Sequence, residues 1–364
     1  MKYFILTLSI LSFCISSLHF VKDFNLVELK EELAHTGLFQ DANSAFTHLG
    51  SEKIVCYRQT HRNFYVLMMT LTVSSLGFIY YAFEQKKRLS KELIIKNEEV
   101  VQKSDIIEEK NKEIISGLNY AQRLQRAMLS DYKILAKRFP NSWILNRPKD
   151  IVSGDFYWMT EVDNFIFIAV ADCTGHGVPG AFMTILGSSL INQIIIENNV
   201  LETDNILNDL CHKLYDTFYS ENQNKKVNDG MDISLIRVCT TTNTIQFSGA
   251  KRNLLVVTEN NIYKEMIGSK QMLSASKINS ESYGCESMTV QGKTRLYLYS
   301  DGITDQLGGN YYKKFMSKNF KNLLANTFDY SMNNQRQKTK DSFLNWKGTN
   351  DQTDDVMVIG IEIS

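Results

Sequence analysis

Between Arg62 and Glu84 the chain carries no charged residue, and most of the intervening stretch, Asn63 to Phe83, is apolar. At about 1.5 Å per residue such a run matches the ~30 Å hydrocarbon core of a bilayer. In lipid, a single segment satisfies its own backbone groups only as a helix. The run closes on Tyr80, Tyr81 and Phe83, which suit a membrane interface, and Lys86, Lys87, Arg88 and Lys91 follow at once. Excess Lys and Arg marks the cytoplasmic side. The chain beyond about residue 84 is therefore expected in the cytosol, and residues 22–62 outside it as a short connector. A second apolar stretch, Tyr3 to Val21, reads either as a first transmembrane helix or, with Lys2 ahead of it and Ser16 and Ser17 near its end, as a signal peptide. The bulky Phe13 before Cys14 argues against a lipoprotein cleavage site.

From Glu84 to about residue 130 the composition turns to Glu, Lys, Ile and Asn, with no Pro and one glycine, Gly117. Every seventh residue from Leu93 is apolar: Val100, Ile107, Ile114, Ala121 and Met128 follow. That is the period of a left-handed coiled coil. The companion seam, Asn97, Ser104, Asn111 and Leu118, is mostly polar, so the pairing is weak and suited to switching. Two chains leaving the same membrane face make a parallel homodimer the expected arrangement.

The 40 Lys and Arg balance the 40 Asp and Glu. Without a clustered basic excess, nucleic acid is not an expected partner. None of the six cysteines forms a C-x-x-C pair, which removes zinc ribbons and dithiol redox motifs.

After about residue 140 the pattern shifts to short strands. Phe165–Ala171, Leu296–Tyr299 and Val356–Ile363 are apolar runs of strand length and β-forming composition. Each carries an acid beside one end: Asp172 after the first, Asp301 after the second, Asp354 and Asp355 before the third. A further acid, Asp155, follows Ser153-Gly154. One such Asp is usually a turn residue. Four sites, several flanked by glycine, point to carboxylates aimed at one place. Hard oxygen donors of this kind suit Mg²⁺ or Mn²⁺.

Four runs occur in order: Arg147-Pro148-Lys149-Asp150-Ile151-Val152-Ser153-Gly154-Asp155-Phe156-Tyr157-Trp158, Ala171-Asp172-Cys173-Thr174-Gly175-His176-Gly177-Val178-Pro179-Gly180-Ala181, Ser300-Asp301-Gly302-Ile303-Thr304-Asp305 and Gln352-Thr353-Asp354-Asp355-Val356-Met357. Asn228-Asp229-Gly230-Met231-Asp232 and Phe247-Ser248-Gly249-Ala250 lie between them. Together they resemble the SpoIIE-type (RsbU-like) branch of the PPM metal-dependent serine/threonine phosphatases, in a membrane-anchored bacterial form. The resemblance implies an α+β fold, an αββα sandwich of two antiparallel sheets flanked by helices, over residues 140–364. It implies two Mn²⁺ or Mg²⁺ ions held by Asp155, Asp172, Asp301 and Asp354, with the backbone carbonyl of Cys173 as a further ligand. Asp355 is the neighbour most easily exchanged for Asp354. It also implies a location at the inner (cytoplasmic) membrane with the catalytic domain in the cytosol, and a phosphorylated protein substrate such as an anti-sigma factor antagonist.

Several residues keep two readings. His176 is a general acid or a structural imidazole in a Gly-His-Gly turn. Arg147 contacts phosphate or pairs with Asp150. Ser300 reads as a turn hydroxyl, and Asp232 as structural or as lying near the metal ions. The whole chain reads as a membrane-tethered phosphatase or, alternatively, as a catalytically weak module that binds a phosphoprotein partner.

Overall fold

The computed structural model describes residues 39–129, 132–218, 229–259, 262–274 and 282–364. The expected first span, Tyr3 to Val21, lies outside them. Contacts divide the chain into two units, residues 1–104 and 105–364.

The first unit is described through helix α1 (Phe39–Met128), whose last turns belong to the second unit. The helix starts well before Asn63, so the expected connector is helical from Phe39 onward. Nothing in that stretch breaks it: residues 39–62 hold no Pro and one glycine, Gly50. Tyr65, Met69, Leu76, Phe78 and Tyr81 are all exposed. This stretch is long and apolar enough to cross a membrane. Leu93, Val100, Ile107 and Ile114 along the heptad seam are exposed as well.

The second unit continues from the end of α1 through α2 (Lys133–Arg138) into four layers. One sheet has the order β1-β13-β10-β6-β7, built from Ser142–Arg147, Val356–Ile363, Thr294–Tyr299, Leu254–Thr258 and Tyr263–Met266. The other has the order β2-β3-β4-β5-β9, built from Asp155–Val162, Phe165–Cys173, Gly230–Cys239, Thr244–Ala250 and Glu286–Thr289. The short β8 (Leu273–Ser274) pairs with β4. Every pair within these two sheets is antiparallel.

Residues alternate faces along a strand, and β3 shows what each face buries. Ile166, Ile168 and Val170 pack into the core between the sheets, against Leu296, Leu298, Met357 and Ile359. Phe167, Ala169 and Ala171 point the other way, under α3 (Val178–Asn192) and α4 (Thr203–Phe218). A strand buried on both faces reads as an unbroken apolar run, as Phe165–Ala171 does. The first sheet is covered by α6 (Ser317–Asn326) and α7 (Met332–Lys347), which bury Phe320, Leu324 and Phe343 against Trp143, Tyr297 and Val358. Between β10 and α6 lie the short α5 (Gly302–Asp305) and the hairpin β11 (Leu307–Gly308) and β12 (Lys313–Lys314). Each fully buried Ile, Leu or Phe contributes roughly 1.5–3 kcal/mol, so the core between the sheets holds them in a set relation and the two outer cores fix the helices onto them. The helix Val178–Glu197 also passes a length-and-apolarity test for a membrane span, but it is a core helix burying Met183, Ile191, Ile194 and Ile195.

Candidate active site

Strand register sets the first half of the site. Asp155 opens β2 opposite Asp172, and Asp172 lies opposite Asp232 on β4. Directly paired residues share a face, so three carboxylates form a row across three adjacent strands. By the alternation along β3 and β4, that face is the one turned toward the other sheet.

The other sheet supplies the second half. β10 and β13 are antiparallel neighbours, so the end of one lies beside the start of the other. This brings Ser300 and Asp301 next to Asp354 and Asp355. Ser300 ties the strands through its N–H to the Met357 carbonyl (2.9 Å) and accepts from the Met357 N–H (3.0 Å). Its hydroxyl then donates across the inter-sheet gap to Asp155 Oδ2 at 2.5 Å. The residue expected to be a turn hydroxyl is a bridge between the sheets.

The loop before β2 is pinned from three sides. Asp355 accepts the Lys149 N–H and the Gly154 N–H, both at 2.7 Å, one on each carboxylate oxygen. Asp355, expected as an alternative to Asp354, is thus committed to bracing this loop. A Cβ on Gly180, in the first turn of α3, would fall 2.3 Å from the Gly175 carbonyl oxygen and 2.8 Å from Gly154 Cα. Only glycine permits that approach. From the end of α1, Gln125 donates to the Ser153 carbonyl at 2.6 Å and accepts the Ser153 N–H at 3.3 Å. Gln122 donates to the Ile151 carbonyl. Gln125 is 4% exposed.

The electrostatics are those of crowded like charges. Burial raises the Asp155 carboxyl well above its ordinary range, the nearby Asp172 raises it further, and the Ser300 hydrogen bond opposes both. Burial likewise raises Asp172 to about 7, with Arg252 pulling down and Asp301, Asp354 and Asp232 pushing up. Asp354 and Asp232 are also raised, chiefly by burial. Such a cluster favours a cation. The donors are hard oxygens, and Asp232 Oδ1 is buried without a hydrogen-bond partner. The residues therefore fit Mg²⁺ or Mn²⁺. Among the described residues no three His, Cys, Asp or Glu side chains already form a closed ligand set. A guanidinium stands between them instead: Arg252 Nη2 lies 2.6 Å from Asp172, 2.8 Å from Asp301 and 3.4 Å from Asp232.

His176 is exposed, and its Nδ1 lies 2.8 Å from Asp150 Oδ2. Asp150 therefore pairs with His176, not with Arg147, whose Nε is buried without a hydrogen-bond partner. The Cys173 thiol is buried, and burial pushes its pKa well up. It is inert, so any role for Cys173 rests on its carbonyl.

Two contributors are not evident from sequence reasoning. Arg252 comes two residues after the Phe247–Ala250 run, but no charge pattern sets it apart. Gln125 sits in a helix whose heptad draws attention elsewhere. Asp232 stands in the Asn228–Asp232 run of the sequence, and its strand register opposite Asp172 decides its place in the carboxylate row.

The family model for Stage II sporulation protein E matches residues 163–364. Among solved structures, the chain is similar to the SiaA-PP2C domain of Pseudomonas aeruginosa, with 27% identity and a TM-score of 0.62 over 70% of this chain and 98% of that one. It also shares the fold of the PP2C phosphatase domain of the cell fate determinant SpoIIE from Bacillus subtilis, with 15% identity and a TM-score of 0.50 over 61% of this chain and 63% of that one. No curated protein gives a significant match.

Proposed function

The chain belongs to the SpoIIE family of PP2C-type serine/threonine phosphatases, and on that premise we propose that it is a membrane-tethered enzyme that hydrolyses phosphoserine and phosphothreonine in proteins. The observation that carries this reading is the carboxylate row Asp155, Asp172 and Asp232 facing Asp301 and Asp354 across the two sheets.

A phosphoserine ester carries about −1.5 to −2 charge near neutrality. Asp155, Asp172, Asp301 and Asp354, with the Cys173 carbonyl, would hold two Mn²⁺ or Mg²⁺ ions, which supply charge neutralisation and an activated water for in-line attack at phosphorus. Around them each residue has a task. Ser300 holds Asp155 in one orientation. Asp355 and the Gly154–Gly180 contact keep the loop before β2 from drifting. Asp150 holds His176 by Nδ1 and leaves Nε2 directed elsewhere, as a proton donor to the departing alkoxide requires.

The uncharged run Asn63–Phe83 serves as the membrane tether, at the inner membrane with residues 84–364 in the cytosol. The exposed seam Leu93, Val100, Ile107 and Ile114 supports a homodimer. Gln122 and Gln125 make the end of α1 a lever on residues 151–155. A shift in coiled-coil packing then reaches Asp155 through two hydrogen-bonded side chains, provided the activating signal favours one packing over the other. The substrate is a phosphorylated protein of the partner-switching type, such as an anti-sigma factor antagonist.

The test is phosphate release from a phosphoserine protein by the detergent-solubilised full chain with added Mn²⁺. Asp172→Asn removes a charge while keeping shape, and is expected to abolish release without unfolding the domain. Undiminished release by D172N sinks the proposal. Tight binding of the phosphoprotein with no release at all indicates the non-catalytic module instead.

A further inference from the structure

Among the described residues Arg295 is fully buried and the Arg252 side chain is 13% exposed, and the two are bound in opposite ways. Arg295 is 1% exposed and fully engaged: Nε and Nη2 meet Glu362 at 2.9 and 2.8 Å, Nη1 meets the Thr327 carbonyl and Nη2 the Tyr330 carbonyl. That is a permanent structural cation with its fork filled. Arg252 reaches three carboxylates through the single atom Nη2, and its Nε is buried with no hydrogen-bond partner. A guanidinium held by one tip is poorly satisfied for a group with five donors.

The backbone beneath Arg252 is tightly built. Lys251 adopts a left-handed conformation (φ 55°), and its N–H donates to the Ser269 carbonyl at 2.6 Å. A Cβ on Gly249 would fall 2.1 Å from the Arg252 carbonyl oxygen, so only glycine lets the turn between β5 and β6 close this far. The turn therefore fixes the Cα of Arg252, and its side chain is held at the far end by the carboxylates alone.

We propose that Arg252 is a resident counter-cation of the carboxylate row: it compensates Asp172, Asp232 and Asp301 while no divalent ion is bound, and it must leave when one enters. This rests on the metal-dependent reading above. Carboxylates left together without compensation repel one another, and an arginine, weakly hydrated and always charged, is suited to the role. The cost is competition. Each ion that occupies this position displaces a positive charge already there, so Arg252 weakens metal binding while stabilising the metal-free protein. By linkage, the effect of arginine on metal equals the effect of metal on arginine.

The experiment is calorimetric Mn²⁺ titration of the full chain in detergent, comparing the unmodified protein, Arg252→Met and Arg252→Lys. R252M is expected to bind Mn²⁺ roughly tenfold tighter, within the 5–150-fold range typical of coupled sites, and to melt at a lower temperature without metal. R252K, which keeps a cation, is expected to fall between the two. If R252M folds only with Mn²⁺ present, release of the ion into excess chelator is timed instead, and slower release than from the unmodified chain is expected. Equal or weaker Mn²⁺ binding by R252M, or equal or faster release, overturns the inference while leaving the phosphatase reading intact. Absence of Mn²⁺ binding by the unmodified chain overturns both.

Discussion

The Ser300 hydroxyl, at the end of β10 in one sheet, donates a 2.5 Å hydrogen bond to Asp155 Oδ2, at the start of β2 in the other. Both residues are almost fully buried. This bond sets the spacing of the two half-sites at the open end of the sandwich. Ser300→Ala leaves a buried carboxyl without its side-chain donor, at a cost of about 1–3 kcal/mol. It also removes the one interaction that lowers the Asp155 pKa, so the acid limb of the pH–activity profile is expected to move to higher pH. Chemical denaturation and a pH–rate profile of S300A check the two effects separately. An unmoved acid limb would assign Ser300 a purely structural role.

The metal-free protein is expected to lose stability as pH rises. The sign follows from Asp172, whose pKa is raised from 3.8 to about 7 on folding. A carboxyl that holds its proton more tightly when folded stabilises the fold below its unfolded pKa, and that contribution is lost as pH climbs through the folded value. Asp155 shifts in the same direction. Melting temperatures recorded in chelator should therefore fall between about pH 4 and pH 7, and added Mn²⁺ should flatten the slope. A midpoint that rises steadily over that window would contradict the clustering of these carboxylates.

Gln125→Glu tests the lever from α1. The substitution keeps shape but replaces the donor facing the Ser153 carbonyl with an acceptor, where an unpaired buried group costs about 1–3 kcal/mol. Phosphatase activity is expected to fall by at least an order of magnitude, with the secondary structure unchanged by circular dichroism. Gln125→Glu with normal turnover would mean that the loop at Ser153 does not need the helix.

His176→Gln is expected to reduce kcat by about 10²-fold or more, the usual contribution of a general acid, without altering Mn²⁺ affinity. A leaving group of low pKa, such as an aryl phosphate, should be much less affected than phosphoserine, because it departs without a proton. Equal losses on both substrates would return His176 to the role of a loop brace for Asp150.

The double substitution Ile107→Lys and Ile114→Lys places like charges on the exposed seam of α1. Sedimentation of the full chain in detergent should shift from dimer to monomer. Persistence of the dimer would place self-association outside this helix.

Much of the fold was legible in the linear pattern, and the reason is periodicity. Phe165–Ala171 is apolar throughout, and Val356–Ile363 is apolar or glycine but for Glu362, because both faces of their strands are buried, and the heptad from Leu93 follows the pitch of one helix. These are local properties, readable within a window of ten to twenty residues. The acids at strand ends were legible for the same reason, since each sits beside a recognisable run.

What only the tertiary structure decided is how separated segments meet. Asp232 joins Asp155 and Asp172 because β4 pairs in one register with β3; a slip of one residue would turn it to the opposite face. Ser300 bridges the sheets because two strands of one sheet end facing the first strand of the other. Arg252 meets Asp172 and Asp301, 80 and 49 residues away along the chain, and no local pattern encodes a charge balance assembled over such separations. Sequence determines which residues take part wherever the constraint is periodic; folding decides it wherever the constraint is the distance between charges brought together only by packing.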